Sequence, residues 1–300
     1  MVFTKFIVTK LVVHSMVKKS LVIFAYNRPI LLQACIESVI NAKGHSGWSK
    51  VLIYQEGCPE TNRIISQYSM HFDLITQIKP QFDIPIANIN FNRVTGTTIA
   101  FETFEPEYLL GIEEDTLIGY DSLQFAEVIF QKYRHNPLFR GINLGSLEPP
   151  EKATQNGYSI LRYGLHGQAG VITKRTWLKI RSNKALRDFS LQGWDASVEF
   201  NFKSGFVISP NRSRSLDKGW GGTHAPSDPL NSHYINMEKS WVGISASDIQ
   251  NYERIQIKHN WRHDCKPFKK RHNLIFFMRQ FVIVSRIYNF TKWHTTTKIR

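Results

Sequence analysis

"SLVIFAYNRPILLQACIESVINA", residues 20–42, decides the fold. Leu21 to Ala25 is an unbroken apolar run, too short for a helix, so it reads as a buried strand. Asn27 can cap a helix, Pro29 suits its first turn, and Leu31, Ala34 and Ser38, with Cys35 and Val39, trace an apolar face. The pattern then repeats. "KVLIYQEGCP" gives a strand from Val51 to Tyr54, polar Gln55 and Glu56, and a turn at Gly57 and Pro59. A helix is expected near Asn62 to Met70, a third strand in "DLITQIK", and a helix over Thr95 to Phe104. Tyr108 to Ile112 is a fourth strand, and Asp121 opens a helix to about Arg134 with Leu123, Ala126, Phe130 and Tyr133 on one face. Strands and helices that alternate through short connections predict an α/β chain built on a doubly wound, mostly parallel sheet.

Within that pattern "YLLGIEEDTLIGYDSL" (residues 108–123) is the anomaly, because an apolar strand ends on three consecutive acids, Glu113, Glu114 and Asp115. Two unit charges about 4 Å apart in a partly buried site repel by roughly 4 kcal/mol at an effective dielectric near 20. A solvated turn relieves that repulsion by fanning the acids into water ahead of a helix N-terminus. A divalent cation held by hard oxygen ligands relieves it as well. Open α/β sheets gather ligands at the carboxyl ends of their strands and this is such an end, so both readings stand until the rest of the chain is read. No Walker loop is present and no G-x-G-x-x-G follows the first strand, which argues against a nucleoside triphosphatase or a dinucleotide-dependent dehydrogenase.

Charge sets further bounds. Of 38 Lys plus Arg, 12 fall between Arg254 and Arg300, where Asp264 is the only acid, and 4 more fall in residues 1–19, which hold no acid. Residues 20–253 carry 22 basic and 23 acidic side chains, a net of −1, so the overall +14 belongs to the two ends. A basic nucleic-acid groove across the fold is not supported. Three scattered cysteines, Cys35, Cys58 and Cys265, suit neither a disulfide framework nor a zinc site and point to free thiols in a reducing compartment. The N-terminal run is interrupted by Lys5 and Lys10 and is too short to span a bilayer. Leu274 to Tyr288, mostly apolar between Lys/Arg clusters, fits an in-plane interfacial helix, and a core helix closing the domain is the other reading. Deleting residues 271–300 separates the two: the first requires release from membranes, the second requires unfolding.

The second half is irregular and rich in Gly and aromatics. "YGLHGQAGVITKRTWLKI" gives a loop from Gly164 to Gly170, a short strand, and a helix from about Lys174. "LQGWDASVEFNFKSG" places Trp194 and Asp195 just before a helix, and "GFVISPNRSRSLDKGWGGTHAPSD" gives a strand, then a polar loop with Arg212, Arg214, Trp220 and His224.

"LVIFAYNRP", "YQEG", "IEED", "WD" before a helix and "SPNRSRS…GWGGTH", in this order over about residues 20 to 245, resemble one family. It is the GT-A fold glycosyltransferases that include N-acetylglucosaminyltransferase I and protein O-mannose N-acetylglucosaminyltransferase; bacterial-type family 2 transferases look similar in the first half. The resemblance implies a metal-dependent, inverting transfer of a sugar, GlcNAc in that family, from a UDP-sugar to a glycan or glycoconjugate acceptor. It implies Mn²⁺ or Mg²⁺ on Asp115, with Glu113, Glu114, Arg28, Glu56, Trp194 and His224 around the nucleotide-sugar and Asp195 as the general base. Glu114 and Glu56 each stand where the family has Asp, and Ala196 stands where N-acetylglucosaminyltransferase I has a second acid.

The expected organisation is a basic extension over residues 1–19 and a GT-A domain over 20–250, followed by a basic amphipathic segment over 251–300. Within the domain, residues 20–150 are the nucleotide-sugar half and 151–250 the acceptor half. The expected location is cytoplasmic, at the inner membrane face through the basic tail. Two rival readings are a non-catalytic carbohydrate- or nucleotide-binding protein on the same scaffold and a nucleic-acid-binding protein. The first would bind nucleotide without releasing UDP, and the second would show salt-dependent binding to DNA or RNA.

Overall fold

The computed structural model describes residues 17–55, 58–83, 85–146, 157–161, 169–182, 205–219, 238, 240–243 and 253–254. Strand β1 (Lys19–Ala25) leads into α1 (Pro29–Ile40), β2 (Ser49–Gln55) into α2 (Pro59–Tyr68), and β3 (Leu74–Ile78) into α3 (Pro85–Phe104). Then come β4 (Tyr108–Glu113), β5 (Thr116–Ile118), α4 (Ser122–Tyr133), β6 (Phe139–Asn143), β7 (Gly157–Leu161), β8 (Ala169–Thr173) and α5 (Lys174–Arg181). Strands β9 (Phe206–Pro210), β10 (Ser215–Asp217) and β11 (Glu253–Arg254) complete the described elements.

Nine strands form one sheet in the order β11-β7-β9-β6-β8-β4-β1-β2-β3. The half β4-β1-β2-β3 is parallel throughout, as the alternation of strand and helix requires. Strand β8 runs antiparallel between β4 and β6, and β9 is parallel to β6. Strand β7 is antiparallel to β9 and carries β11 parallel to itself, so the sheet is mainly parallel, with β8 inserted antiparallel and β7 and β11 reversed at one edge. Alternate residues of β1 serve opposite faces. Leu21, Ile23 and Ala25 pack with Leu32, Cys35, Ile36 and Val39 of α1 and with Leu123, Phe125 and Ala126 of α4. Val22 packs instead with Ala100 and Phe101 of α3 and with Trp177 and Ile180 of α5. Each such aliphatic side chain taken from water contributes about 1.5–3 kcal/mol, so both faces are driven by the same term.

Three expectations are corrected. The N-cap position of the helix after β1 is Arg28 rather than Asn27 and carries no side-chain capping bond, and the buried stripe is Leu32, Cys35, Ile36, Ser38 and Val39, which moves Leu31 and Ala34 off the core face. The third helix begins ten residues before Thr95. It approaches the sheet closely at Gly96, where a Cβ would stand 2.7 Å from Ile53 and 2.9 Å from Phe24. The loop after "GFVISP" contains a strand, β10, which pairs antiparallel with β5 in a separate two-stranded ribbon. Glu56, Trp194, Asp195, Trp220, His224, residues 164–168 and the segment 271–300 lie outside the described residues. Among the described residues no helix is long and apolar enough to cross a membrane.

Candidate active site

The parallel strands β1, β2 and β4 end at one sheet edge, which brings Tyr26 to Arg28, Gln55 and Glu113 to Asp115 together. Strands β6 and β9 end at the same edge and deliver Leu144 to Ser146 and Asn211 to Arg214. The acidic corner lies in the middle of this edge.

Each acid of the corner finds a different neutralising partner. Glu113 forms an ion pair with Arg93 of α3, whose side chain is 9% exposed. Glu114 turns inward, and its Oε2 accepts the Tyr26 N–H at 2.7 Å. Burial pushes its carboxyl above the usual carboxylate range, while the Tyr26 and Arg28 backbone amides pull it back. Asp115 pairs with the Arg28 guanidinium. The triplet therefore does not converge on one point, and the repulsion feared from its sequence is relieved by two arginines and two amides. Beneath it the Cys35 thiol donates to the Glu113 carbonyl at 3.6 Å, and burial raises that thiol's pKa far above its ordinary value, so it is an inert core group.

Asp115 has a second neighbour that the sequence did not reveal. The ribbon of β5 and β10 sets Asp217 opposite Thr116, and the Lys218 N–H donates to the Asp115 carbonyl at 2.8 Å. The chain then turns at Gly219, whose N–H donates to Asp217 Oδ1 at 2.6 Å. A Cβ on Gly219 would overlap the Asp115 carboxylate and lie 3.0 Å from Asp217 Oδ1. Asp115 and Asp217 thus flank a small cradle that only glycine leaves open. The Asp115 oxygen that faces Gly219 is Oδ2, the one paired with Arg28, while its Oδ1 is buried with no hydrogen-bond partner. An orphaned carboxylate oxygen normally costs about 1–3 kcal/mol or more, and a bound cation is one way to offset that cost, although no cluster of three or more His, Cys, Asp or Glu forms among the described residues. Two carboxylates, one with an open oxygen, form a hard-oxygen donor set that fits Mn²⁺ or Mg²⁺.

No protein-family profile matches the chain, and no curated relative does. Solved structures do share its shape. TarS of S. aureus, residues 1–349, superposes with a TM-score of 0.50 at 12% identity, over 67% of this chain and 60% of that one. The chain has a GT-A-like fold. The same TarS fragment solved with UDP-GlcNAc (14% identity, TM-score 0.45, 69% and 60% covered) stands further off in shape. So does the mannosyltransferase PcManGT of Pyrobaculum calidifontis solved with GDP-Man and Mn²⁺ (10% identity, TM-score 0.39, 60% and 50% covered). The match spans about three-fifths of TarS 1–349.

On this GT-A-like sheet the residues that sequence reasoning missed come from α3 and β10. Asn88 braces the edge: its backbone carbonyl accepts Gln55 Nε2 at 3.1 Å, and its Oδ1 takes the N–H groups of Gln81 and Phe82. Asn92, one turn on and adjacent to Arg93, is 4% exposed, and its Oδ1 is buried without a partner. "IANINFNR" hid these residues because a run of asparagines has low helix propensity and reads as loop. Asp217 was hidden for a different reason. A three-residue strand leaves too little alternation to detect, and its partner lies about 100 residues away in the sequence.

Proposed function

We propose that this chain is a nucleotide-sugar-dependent glycosyltransferase that moves a sugar, GlcNAc being the favoured one, from a UDP-sugar to a glycan or glycoconjugate acceptor with inversion. One observation carries the reading: Asp115 and Asp217 flank the Gly219 cradle at the carboxyl edge of a GT-A-like sheet, with Asp115 Oδ1 buried and unbonded. The fold likeness to TarS, a protein solved with UDP-GlcNAc, supports the donor class. The ordered motifs support a relationship to the N-acetylglucosaminyltransferase I group.

Asp115 and Asp217 would hold Mn²⁺ or Mg²⁺, and the bound ion supplies positive charge to offset the negative charge of a departing diphosphate. Arg28 and Arg93 bring two guanidinium groups to the same corner, suited to the planar oxygens of a diphosphate or to the acids that frame it. The open acceptor on Asn92 suits an N–H of a nucleobase, and by the resemblance Glu56 would read the uracil. Glu114 holds the β1–α1 turn through the Tyr26 amide and so fixes where Arg28 starts. Trp194 would stack on the donor sugar and His224 would lie near the diphosphate. In the transfer itself Asp195 takes the acceptor hydroxyl proton, the hydroxyl oxygen bonds to the anomeric carbon, and the bond from that carbon to the diphosphate oxygen breaks. UDP leaves on the opposite face, which inverts the anomeric centre.

A panel of nucleotide-sugars tests this by thermal shift and UDP release, each with and without Mn²⁺. A ligand at about 100 times its Kd stabilises by about 2.7 kcal/mol, which for a domain of this size raises the midpoint by roughly 5–10 °C. UDP-GlcNAc with Mn²⁺ is expected to reach that range and to be hydrolysed or transferred. A shift without UDP release under any acceptor would make the chain a binding protein, and no shift with any UDP-sugar would defeat the reading.

A further inference from the structure

The ribbon that presents Asp217 has an unusual anchor. Arg214, the residue before β10, is fully buried, with its side chain 0% exposed. Its Nε and Nη2 both donate to Asp121 Oδ2, at 3.2 and 3.0 Å, and its guanidinium lies 4.6 Å from the ring centre of Phe125. Its backbone is held at both ends. The Arg214 N–H donates to the Leu144 carbonyl at 2.8 Å, and its own carbonyl accepts the Gly119 N–H at 2.9 Å and the Ser122 hydroxyl at 2.6 Å. Nη1 closes back on the Arg212 carbonyl at 3.2 Å.

Stability alone explains this poorly. A buried ion pair roughly breaks even against well-packed apolar side chains of the same volume. Asp121 sits at the N-cap of α4 yet makes no side-chain capping bond there, so its carboxylate is committed to Arg214 in place of the usual helix cap. What the pair does supply is register. Strand β10 has three residues and pairs with the three-residue β5, a ribbon too short to fix its own alignment. A slip by one residue would set Leu216 or Lys218 opposite Thr116 in place of Asp217 and turn every side chain to the other face.

We propose that Arg214 is a positioning residue: clamped by Asp121 and Phe125, it locks the register of β10 on β5 and so keeps Asp217 beside Asp115. This rests on the cation reading of those two acids, and the test separates the two claims. The variant is the full chain carrying Arg214→Met with Asp121→Leu, which removes both charges together and leaves none buried alone; Arg214→Lys keeps the charge without the two-pronged donor. Hydrogen exchange is followed at the Gly119 and Lys218 amides, and Mn²⁺ affinity in the presence of UDP is read from the paramagnetic signal of free Mn²⁺. The double variant is expected to exchange at least tenfold faster at Gly119 and Lys218 while amides of β1, β2 and β4 keep their rates, and to bind Mn²⁺ at least tenfold more weakly. Arg214→Lys is expected to fall between it and the parent, and it carries the test if the double variant does not fold. Unchanged exchange at those two amides, exchange accelerated uniformly across the sheet, or Mn²⁺ affinity unaltered in the variants would overturn the assignment. If the parent chain binds no Mn²⁺ with UDP, the cation reading fails by itself, and the exchange pattern still decides whether Arg214 holds the register.

Discussion

Asp115→Asn is expected to lower the rate of sugar transfer at least a thousandfold, about 4 kcal/mol of transition-state stabilisation, while leaving the fold intact. The substitution keeps the side chain's volume and removes its charge. The stability cost is expected to be modest because the amide keeps an oxygen that can accept from Arg28, and the Arg28 side chain, 29% exposed, can turn to water, although Asp115 itself is only 12% exposed. The catalytic cost is large because the site loses half of its carboxylate pair, including a carboxylate oxygen that has no hydrogen-bond partner. Initial rates of UDP release across a Mn²⁺ titration check this. Rates that recover at high Mn²⁺ would mean that Asp115 tunes affinity without being essential, and rates near those of the parent throughout would remove Asp115 from the site. Glu113→Gln provides the contrast, since Glu113 faces Arg93 and is expected to cost far less.

Asp195→Asn is the second large effect. A positioned general base contributes about 10²–10⁴-fold to a proton-transfer step, and the amide cannot take the proton. The expected result is a fall in kcat of that size with the Kd for UDP-GlcNAc and Mn²⁺ within about threefold of the parent. That split distinguishes a base from a helix cap, because losing a cap costs about 1 kcal/mol of stability and leaves turnover nearly whole. A melting-point loss without a kcat loss would therefore assign Asp195 to the helix.

The parts of the fold that were legible in the sequence are those written in local signals. The Leu21 to Ala25 run, Pro29 at the first turn of α1 and the Tyr108 to Ile112 strand each satisfy their rule within a few residues, and the structure places them accordingly, with β4 one residue longer. Asp121 is likewise at the N-cap of its helix, although its carboxylate goes to Arg214. The parts that stayed hidden depend on distant partners or on residues that break the rules. The antiparallel β8 sits between β4 and β6 because of long-range pairing that no periodicity encodes. The Asn-rich start of α3 is helical because tertiary contacts, such as Gln55 on the Asn88 carbonyl, override its propensity. At the candidate site the acidic corner announced itself, yet its neighbour Asp217 did not. Asp217 looks like any loop acid until β10 is laid on β5, and Arg214 looks like a solvated arginine until its burial is seen.

The most direct measurement is a crystal of the chain grown with UDP and Mn²⁺, with diffraction recorded on either side of the manganese absorption edge. An anomalous peak in the Gly219 cradle, within bonding distance of Asp115 and Asp217, is the predicted result. A manganese peak elsewhere, or UDP bound at this edge with Arg28 still closed on Asp115 and no metal beside it, would contradict the account.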